Sequence, residues 1–272
     1  MAIIITDSSS DLSIEQAKKL NVEMICMSVH FADKSYLDKK ELTNEEFYKR
    51  LTESEEIPTT TLLNPNDYIE VFEKYPNDDI IVITLASALS GTFQSANIAR
   101  DMAERENIYI VDSQSVAAAQ GLLVRQAVKW NEEGMEASQI AEKLTALSDR
   151  VVVMAIMDTL KYVVKGGRLS AVEGAVGTVL NLKPILCIDK GKILTLNKCR
   201  GIKAAKRELI RIINEDIKID TDYEIAYVHG NAEDVLNTFI EEAGYVGDSY
   251  TIGTVVGTHV GPGAVGLAYI KK

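Results

Sequence analysis

The sequence predicts an α/β protein of two domains, a parallel-sheet α/β domain over residues 1–150 followed by an α+β domain over residues 151–272. Three observations carry this expectation. Short runs rich in β-branched residues alternate with helical patterns through the first half, as in a largely parallel sheet with helices on its faces. From VVVMAI onward, strands and helices mix less regularly. The 272 residues are long for one domain and ample for two cores.

AIIIT opens the chain as a first strand that stops at Asp7. With no basic segment before it, it is not read as a signal peptide. VEMICMSV reads as the second strand, IIVIT (80–84) as the third and IYIVD (108–112) as the fourth. Between them, TNEEFYKRL starts with Thr43 and carries Glu46 three residues on, a capping-box start. NPNDYIEVFEKY offers Asn64 as cap and Pro65 at the first helical position. Two further helices are expected in VDSQSVAAAQGLLVRQAVKW and ASQIAEKLTALSD. Beyond VVVMAI, the runs KILTL, YEIAYVH, YTIGTVV and LAYIK read as strands.

The formal net charge of −11 argues against a nucleic-acid backbone as partner. It also argues against stable residence on an anionic membrane surface and leaves room only for transient contact. Three cysteines, Cys26, Cys187 and Cys199, lie far apart with no CxxC spacing, as expected of reduced thiols in a cytoplasmic protein. Glu173 and Lys183 interrupt the longest apolar stretches, so no transmembrane helix is expected. With no HExxH, no DxD pattern and no clustered histidines, neither a metal nor another cofactor is expected.

The segment SALSGT follows IIVITL and leads into a helix, so hydroxyls and a glycine sit where a strand hands over to a helix. The first amides of a helix lack internal partners and favour anions. Ser90 and Gly91 are placed to use them; the plainer use is capping by Ser87, Ser90 or Thr92. PTTTLLNP supplies Thr59, Thr60 and Thr61 on a second loop that faces the same sheet end. Among three histidines, His30 and His229 adjoin strand-like runs, whereas His259 precedes a glycine-rich turn and is the best functional candidate. That turn, GPGAVG, formally matches GxGxxG, but it precedes a strand and the chain end, so a dinucleotide site is rejected. Lys165 and Arg168 flank two glycines at a helix end, where cations complement the helix C-terminus. Arg200 lies before a basic helix, a mismatch that a bound anion would relieve.

The stretches IITDSSSDL, PTT, LSGTFQSA, VDS, LKYVVKGGRLS, NLKPIL and THVGPGAVG, in this order and over nearly the whole chain, resemble the DegV family of fatty-acid-binding proteins. That family includes the lipid-binding B subunits of bacterial fatty acid kinase. The resemblance implies two α/β-type domains with a long-chain fatty acid buried between and within them. It implies that Thr60 and Ser90 hydrogen-bond the carboxylate, assisted by the Gly91 N–H, with Arg200 and His259 near the head group. One departure stands out: where the family often has TSQPS, this chain has TTLLN, which keeps the Thr60 hydroxyl and places Leu62 and Leu63 in the loop. SAVEGAVGTVLNLKPILCI and VVVMAIMDTL are candidate tunnel walls or, equally, ordinary core.

The leading expectation is therefore a non-catalytic carrier. It presents a bound long-chain fatty acid to the separate catalytic subunit of a fatty acid kinase, which phosphorylates the carboxylate to an acyl phosphate. The absence of G-x-x-x-x-G-K-[ST] favours a carrier over a self-sufficient kinase. Two alternatives stand beside it: a serine hydrolase using Ser90, His259 and Asp7 or Asp112, and a lipid sensor without a kinase partner.

Overall fold

A computed structural model of the chain describes residues 1–32, 34–53, 57–168, 172–173 and 182–272. The parallel sheet forms as the β-branched runs predict. β1 (Ile3–Asp7) lies between β2 (Val22–Ile25) and β6 (Ile80–Thr84), and β7 (Ile108–Asp112) pairs with β6, all in parallel. The order β2-β1-β6-β7 reverses direction between β1 and β6, so a crevice opens beyond the carboxyl ends of those two strands.

VEMICMSV does not form one strand. The chain leaves the parallel sheet after Ile25, where the Met27 N–H donates to Ser8 Oγ at 3.1 Å. It then enters a separate antiparallel sheet of β3 (Ser28–His30), β4 (Ser35–Leu37) and β5 (Thr59–Thr61), ordered β4-β3-β5. A period-two pattern does not distinguish one long strand from two short ones that serve different sheets.

The helix starts follow local chemistry. In α1 (Ile14–Lys19) Ser13 and Gln16 exchange side-chain and backbone hydrogen bonds. In α3 (Pro65–Phe72) Asn64 and Asp67 do the same, with Pro65 at the first position. At α2 (Asn44–Glu53), Thr43 Oγ1 accepts the Glu46 N–H at 3.2 Å, while the Glu46 carboxylate turns to Arg50 instead of closing the box.

The strands from 151 onward build a seven-stranded mixed sheet. Its members are β8 (Val151–Ile156), β9 (Val172–Glu173), β10 (Leu182–Asp189), β11 (Lys192–Arg200), β12 (Ala226–His229), β13 (Asp248–Thr251) and β14 (Val265–Ile270). They run in the order β13-β12-β14-β8-β10-β11-β9. β8 shows why its sequence is apolar throughout. Val151 and Val153 join the core shared with the parallel sheet, whereas Val152, Met154 and Ile156 face a second core under α8 (Ile202–Arg211) and α9 (Glu233–Ala243). YTIGTVV divides: β13 ends at Thr251, and Thr254–Val260 form α10, which Gly253 and Gly261 bound.

α5 (Ala117–Glu132) lies between the two sheets and packs against both. Ala117–Val124 are buried without interruption, as a helix enclosed on all sides requires. Gly121 sets the closeness of this packing, since a Cβ there would stand 2.6 Å from the Ser10 carbonyl oxygen. The remaining helices are α4 (Thr92–Ala103), α6 (Ala137–Ser148) and α7 (Lys161–Lys165). The chain thus has an α/β fold with a parallel-sheet part and a mixed-sheet part, which one apolar core joins across α5.

Candidate functional site

The crevice beyond β1 and β6 opens into a cavity of about 1160 Å³ that runs along the seven-stranded sheet. Val153, Ala155 and Met157 form its floor with Leu186, Ile188 and Ile193. Met27, Leu85, Val116 and Ala117 close it from the parallel-sheet side, and Val255, Val256 and Val260 of α10 form a further wall. Of the two stretches expected as walls, VVVMAIMDTL lines the cavity with alternate residues and sends the others into the second core. Leu186 and Ile188 of the other stretch line it too; positions 169–171 and 174–181 lie outside the described residues.

Among the described residues, the polar ones lining it are Thr60, Ser90, Arg168 and His259, with Gly91 beside them. Thr60 is the middle residue of β5 and alternates with the exposed Thr59 and Thr61. Its Oγ1 lies 3.1 Å from His259 Nε2, at the end of α10. Ser90 precedes α4, whose N-cap is Gly91, a residue with no side chain to cap the helix. Ser90 Oγ is 2.9 Å from Thr92 Oγ1 and takes the Thr92 N–H at 3.3 Å.

Two carboxylates, the buried Asp7 and the half-buried Asp112, fix the loop that carries Ser90. Asp7 accepts the Leu85 N–H at 2.9 Å and the Ser9 N–H at 3.1 Å, and Gln120 completes the network through Ser9. Burial pushes the Asp7 carboxyl up, against the hydrogen bonds from Ser9 and Leu85. Asp112 accepts the Ser87 N–H at 3.2 Å and the Gln114 N–H at 2.9 Å. The IITDSSSDL and VDS segments therefore shape the site without lining it.

Arg168 is the cation at this mouth. It donates to the Gly166 carbonyl at 2.6 Å and reaches toward the Leu89 carbonyl at 3.4 Å. Burial, reinforced by the Arg168 charge, pushes the His259 imidazole down to about 4, so it is neutral near pH 7. Among the described residues its Nδ1 is buried without a partner, and Gly166 packs directly against it. An unpaired acceptor is easier to bury than an unpaired N–H. The neutral ring therefore carries its proton on Nε2, which donates to Thr60 Oγ1 and leaves the Thr60 hydroxyl proton free to point elsewhere. Outside this group lies a second recess of about 700 Å³, lined by Pro58, Thr59, Thr60, Lys165, Gly166, Arg168 and His259.

Of the residues singled out from the sequence, Thr60, Ser90, Gly91 and His259 meet at this cavity, whereas Arg200 does not. Arg200 ends β11 opposite Leu182, exposed to solvent, while the same strand reaches the cavity through Ile193 near its start. Gly201, with a φ of 76°, turns the chain between β11 and α8. Arg168, read from the sequence as a helix-end cation, lines the cavity instead. The TTLLN departure is also visible: Leu62 lines the cavity and packs on Gly91, and Leu63 is buried.

The triad of a serine hydrolase is not assembled. His259 Nε2 faces Thr60 and not Ser90, and among the described residues its Nδ1 meets no carboxylate. Asp7 and Asp112 are engaged by backbone amides, as described above. Among the described residues, no group of three or more His, Cys, Asp or Glu is placed to hold a metal ion. No described helix is long and apolar enough to cross a membrane.

Comparison with known proteins agrees with this architecture. The model of the DegV family of uncharacterised proteins matches residues 1–272. A DegV domain-containing protein of Caldanaerobacter subterraneus is 33% identical over 99% of this chain and 98% of its own length. Among solved structures, a Thermus thermophilus DegV family protein described as binding fatty acid superposes with a TM-score of 0.89 at 28% identity, covering 99% of both chains. DegV of Bacillus subtilis, described as a fatty acid binding protein, gives 0.86 at 29% identity over 100% of this chain and 99% of its own. The chain belongs to the DegV family.

Proposed function

We propose that this protein binds a long-chain fatty acid and presents its carboxylate to a separate kinase subunit for phosphorylation to an acyl phosphate. The observation that carries the first part is the cavity itself, apolar along its length with its polar groups gathered at one mouth. Relatives described as fatty-acid-binding proteins support the same ligand class.

The energetics assign the roles. Burying a sixteen-carbon tail at about 0.8 kcal/mol per methylene contributes on the order of 12 kcal/mol before costs. A hydrogen bond to the charged carboxylate adds about 1.5–3 kcal/mol. The tail therefore supplies most of the affinity, and the hydroxyls set the orientation. In this reading Thr60 and Ser90 donate to the carboxylate and the Gly91 N–H assists. His259 acts from behind, directing the Thr60 proton into the cavity. The outer recess, with Lys165 and Arg168, suits the negative charge that grows as a phosphoryl group is added. No metal or organic cofactor is required of this chain, and a cytoplasmic location is the natural one for such a carrier.

The test is lipid occupancy measured beside acyl-phosphate formation with a cognate kinase, for wild type, Arg168→Ala and His259→Ala. Retained lipid with impaired phosphorylation supports presentation. Proportional loss of both reduces these residues to binding determinants and refutes the presenting role.

A further inference from the structure

α10 is a helix that its own sequence does not favour. Thr254, Val255, Val256, Thr258 and Val260 are β-branched, and Gly257 is a poor helix former. Tertiary contacts must therefore set where it lies. Asp38, just after β4, donates its N–H to the Met27 carbonyl at 2.9 Å and accepts the Thr254 hydroxyl through Oδ1 at 2.7 Å. Asp11, after the turn that follows β1, accepts the Gly253 N–H through Oδ1 at 2.8 Å. Both side chains are buried, Asp38 completely. At the far end of the helix, His259 Nε2 meets Thr60 Oγ1.

Asp38 and Thr60 belong to one small sheet: Asp38 extends β4 and Thr60 lies on β5, its two outer strands. α10 packs on β3 and β5 of that sheet. A rise of 1.5 Å per residue carries a helix roughly 7.5 Å from Thr254 to His259, and outer strands flanking a third lie roughly 9.5 Å apart. The helix is thus matched to the sheet, with one hydrogen bond at each side. Gly257 fixes the depth of its packing on α2, since a Cβ there would stand 2.8 Å from the Phe47 ring and 2.9 Å from the Tyr48 hydroxyl. Rotation and sliding along the axis remain, and the bonds at the helix start remove them. A slip of one residue would turn His259 by about 100° and break its contact with Thr60.

We propose that Asp38 and Asp11 are positioning residues for the head group: they set the register of α10 on the small sheet and so bring His259 to Thr60. Neither residue lines the cavity. The assignment rests on the reading that Thr60 donates to a fatty-acid carboxylate, and extends it to side chains that act only through His259.

Affinities of the delipidated full chain for hexadecanoic acid and for hexadecanol, measured by competition with a fluorescent fatty acid, test this. Their ratio reads the head group, because the tail is common to both. Thr254→Val, which keeps the shape and removes the hydroxyl, is expected to lower the preference for the acid about 2–10-fold, the worth of one neutral hydrogen bond. Asp38→Ala and Asp11→Ala are expected to do the same, whereas Thr254→Ser, which keeps the hydroxyl, restores the preference. In the His259→Ala background Thr254→Val is expected to leave the ratio unchanged, since the residue it positions is gone. A general loss of stability weakens both ligands together and does not produce this pattern. A preference that Thr254→Val leaves at the wild-type value overturns the positioning role, as does an equal fall in the His259→Ala background. Wild type that binds acid and alcohol equally refutes the carboxylate reading itself, and this assignment with it. Should Thr254→Val fail to fold, Thr254→Ala carries the same expectations and the same refutations.

Discussion

Replacing Gly166 with alanine adds a methyl group where the fold leaves no space for one. Built on the existing backbone, the new Cβ falls inside 3.0 Å of His259 Nδ1 and at 3.0 Å from the Tyr162 carbonyl oxygen. Gly166 has φ −71°, which alanine adopts freely, so the cost is steric and not conformational. The imidazole must withdraw, and withdrawal stretches its 3.1 Å contact with Thr60 Oγ1. Losing a neutral hydrogen bond costs about 0.5–1.5 kcal/mol. Overpacking against a stiff ring adds about 1–3 kcal/mol. The expected loss is then roughly 2–4 kcal/mol, with Tm lowered by roughly 2–4 °C per kcal/mol. Urea unfolding of wild type, Gly166→Ala, His259→Ala and the double variant separates the causes. With the ring removed the methyl has room, so Gly166→Ala is expected to cost under about 1 kcal/mol in the His259→Ala background. The Tyr162 contact is common to both backgrounds and cancels in the difference between them. Additive costs would refute the reasoning.

Three further outcomes follow from the same geometry. Ser90→Ala is expected to retain bound lipid while weakening affinity about 10–150-fold, the worth of one charge-assisted hydrogen bond, measured by competition with a fluorescent fatty acid. His259 is held neutral by burial, with its value pushed down to about 4 from 6.5, so its contribution to stability is lost as pH falls through that interval. Between pH 7 and 5 wild type is expected to lose roughly 2 kcal/mol relative to His259→Gln. The comparison must be a difference, because the Asp11 carboxyl, pushed up by burial, acts with the opposite sign. Ala155→Leu, which extends into the cavity from its floor, is expected to shorten the longest acyl chain retained, as mass spectrometry of extracted lipid would report.

Much of this arrangement was legible in the sequence because it rests on local rules. The apolar runs IIVIT and IYIVD become β6 and β7 at those very residues, and VVVMAI becomes β8. Asn64 and Pro65 start α3 as their chemistry requires. What the sequence concealed depends on tertiary contact. The break in VEMICMSV follows from a bond to Ser8, and the helix in TVVGTHV replaces a β-branched run that reads as strand. In the second case, packing in the cavity wall overrides propensity. At the site, Ser90 and Gly91 before a helix and Thr60 in a hydroxyl-rich segment were recognisable as candidates, and the fold brings all three to the cavity. The choice between Arg168 and Arg200 was not, because each has a lysine and a glycine close by in sequence, and only the folded chain brings one of them to the cavity. The acidic residues of IITDSSSDL offered no sign that Asp7 fixes a loop while Asp11 holds a helix 242 residues away.

The central claim is that the cavity holds one acyl chain with its carboxylate at the Thr60–Ser90 mouth. Native mass spectrometry of the purified protein, followed by denaturing extraction and lipid identification, tests it most directly. The account predicts close to one long-chain fatty acid per chain, whichever expression host is used. Protein from several hosts that releases no acyl chain would contradict it.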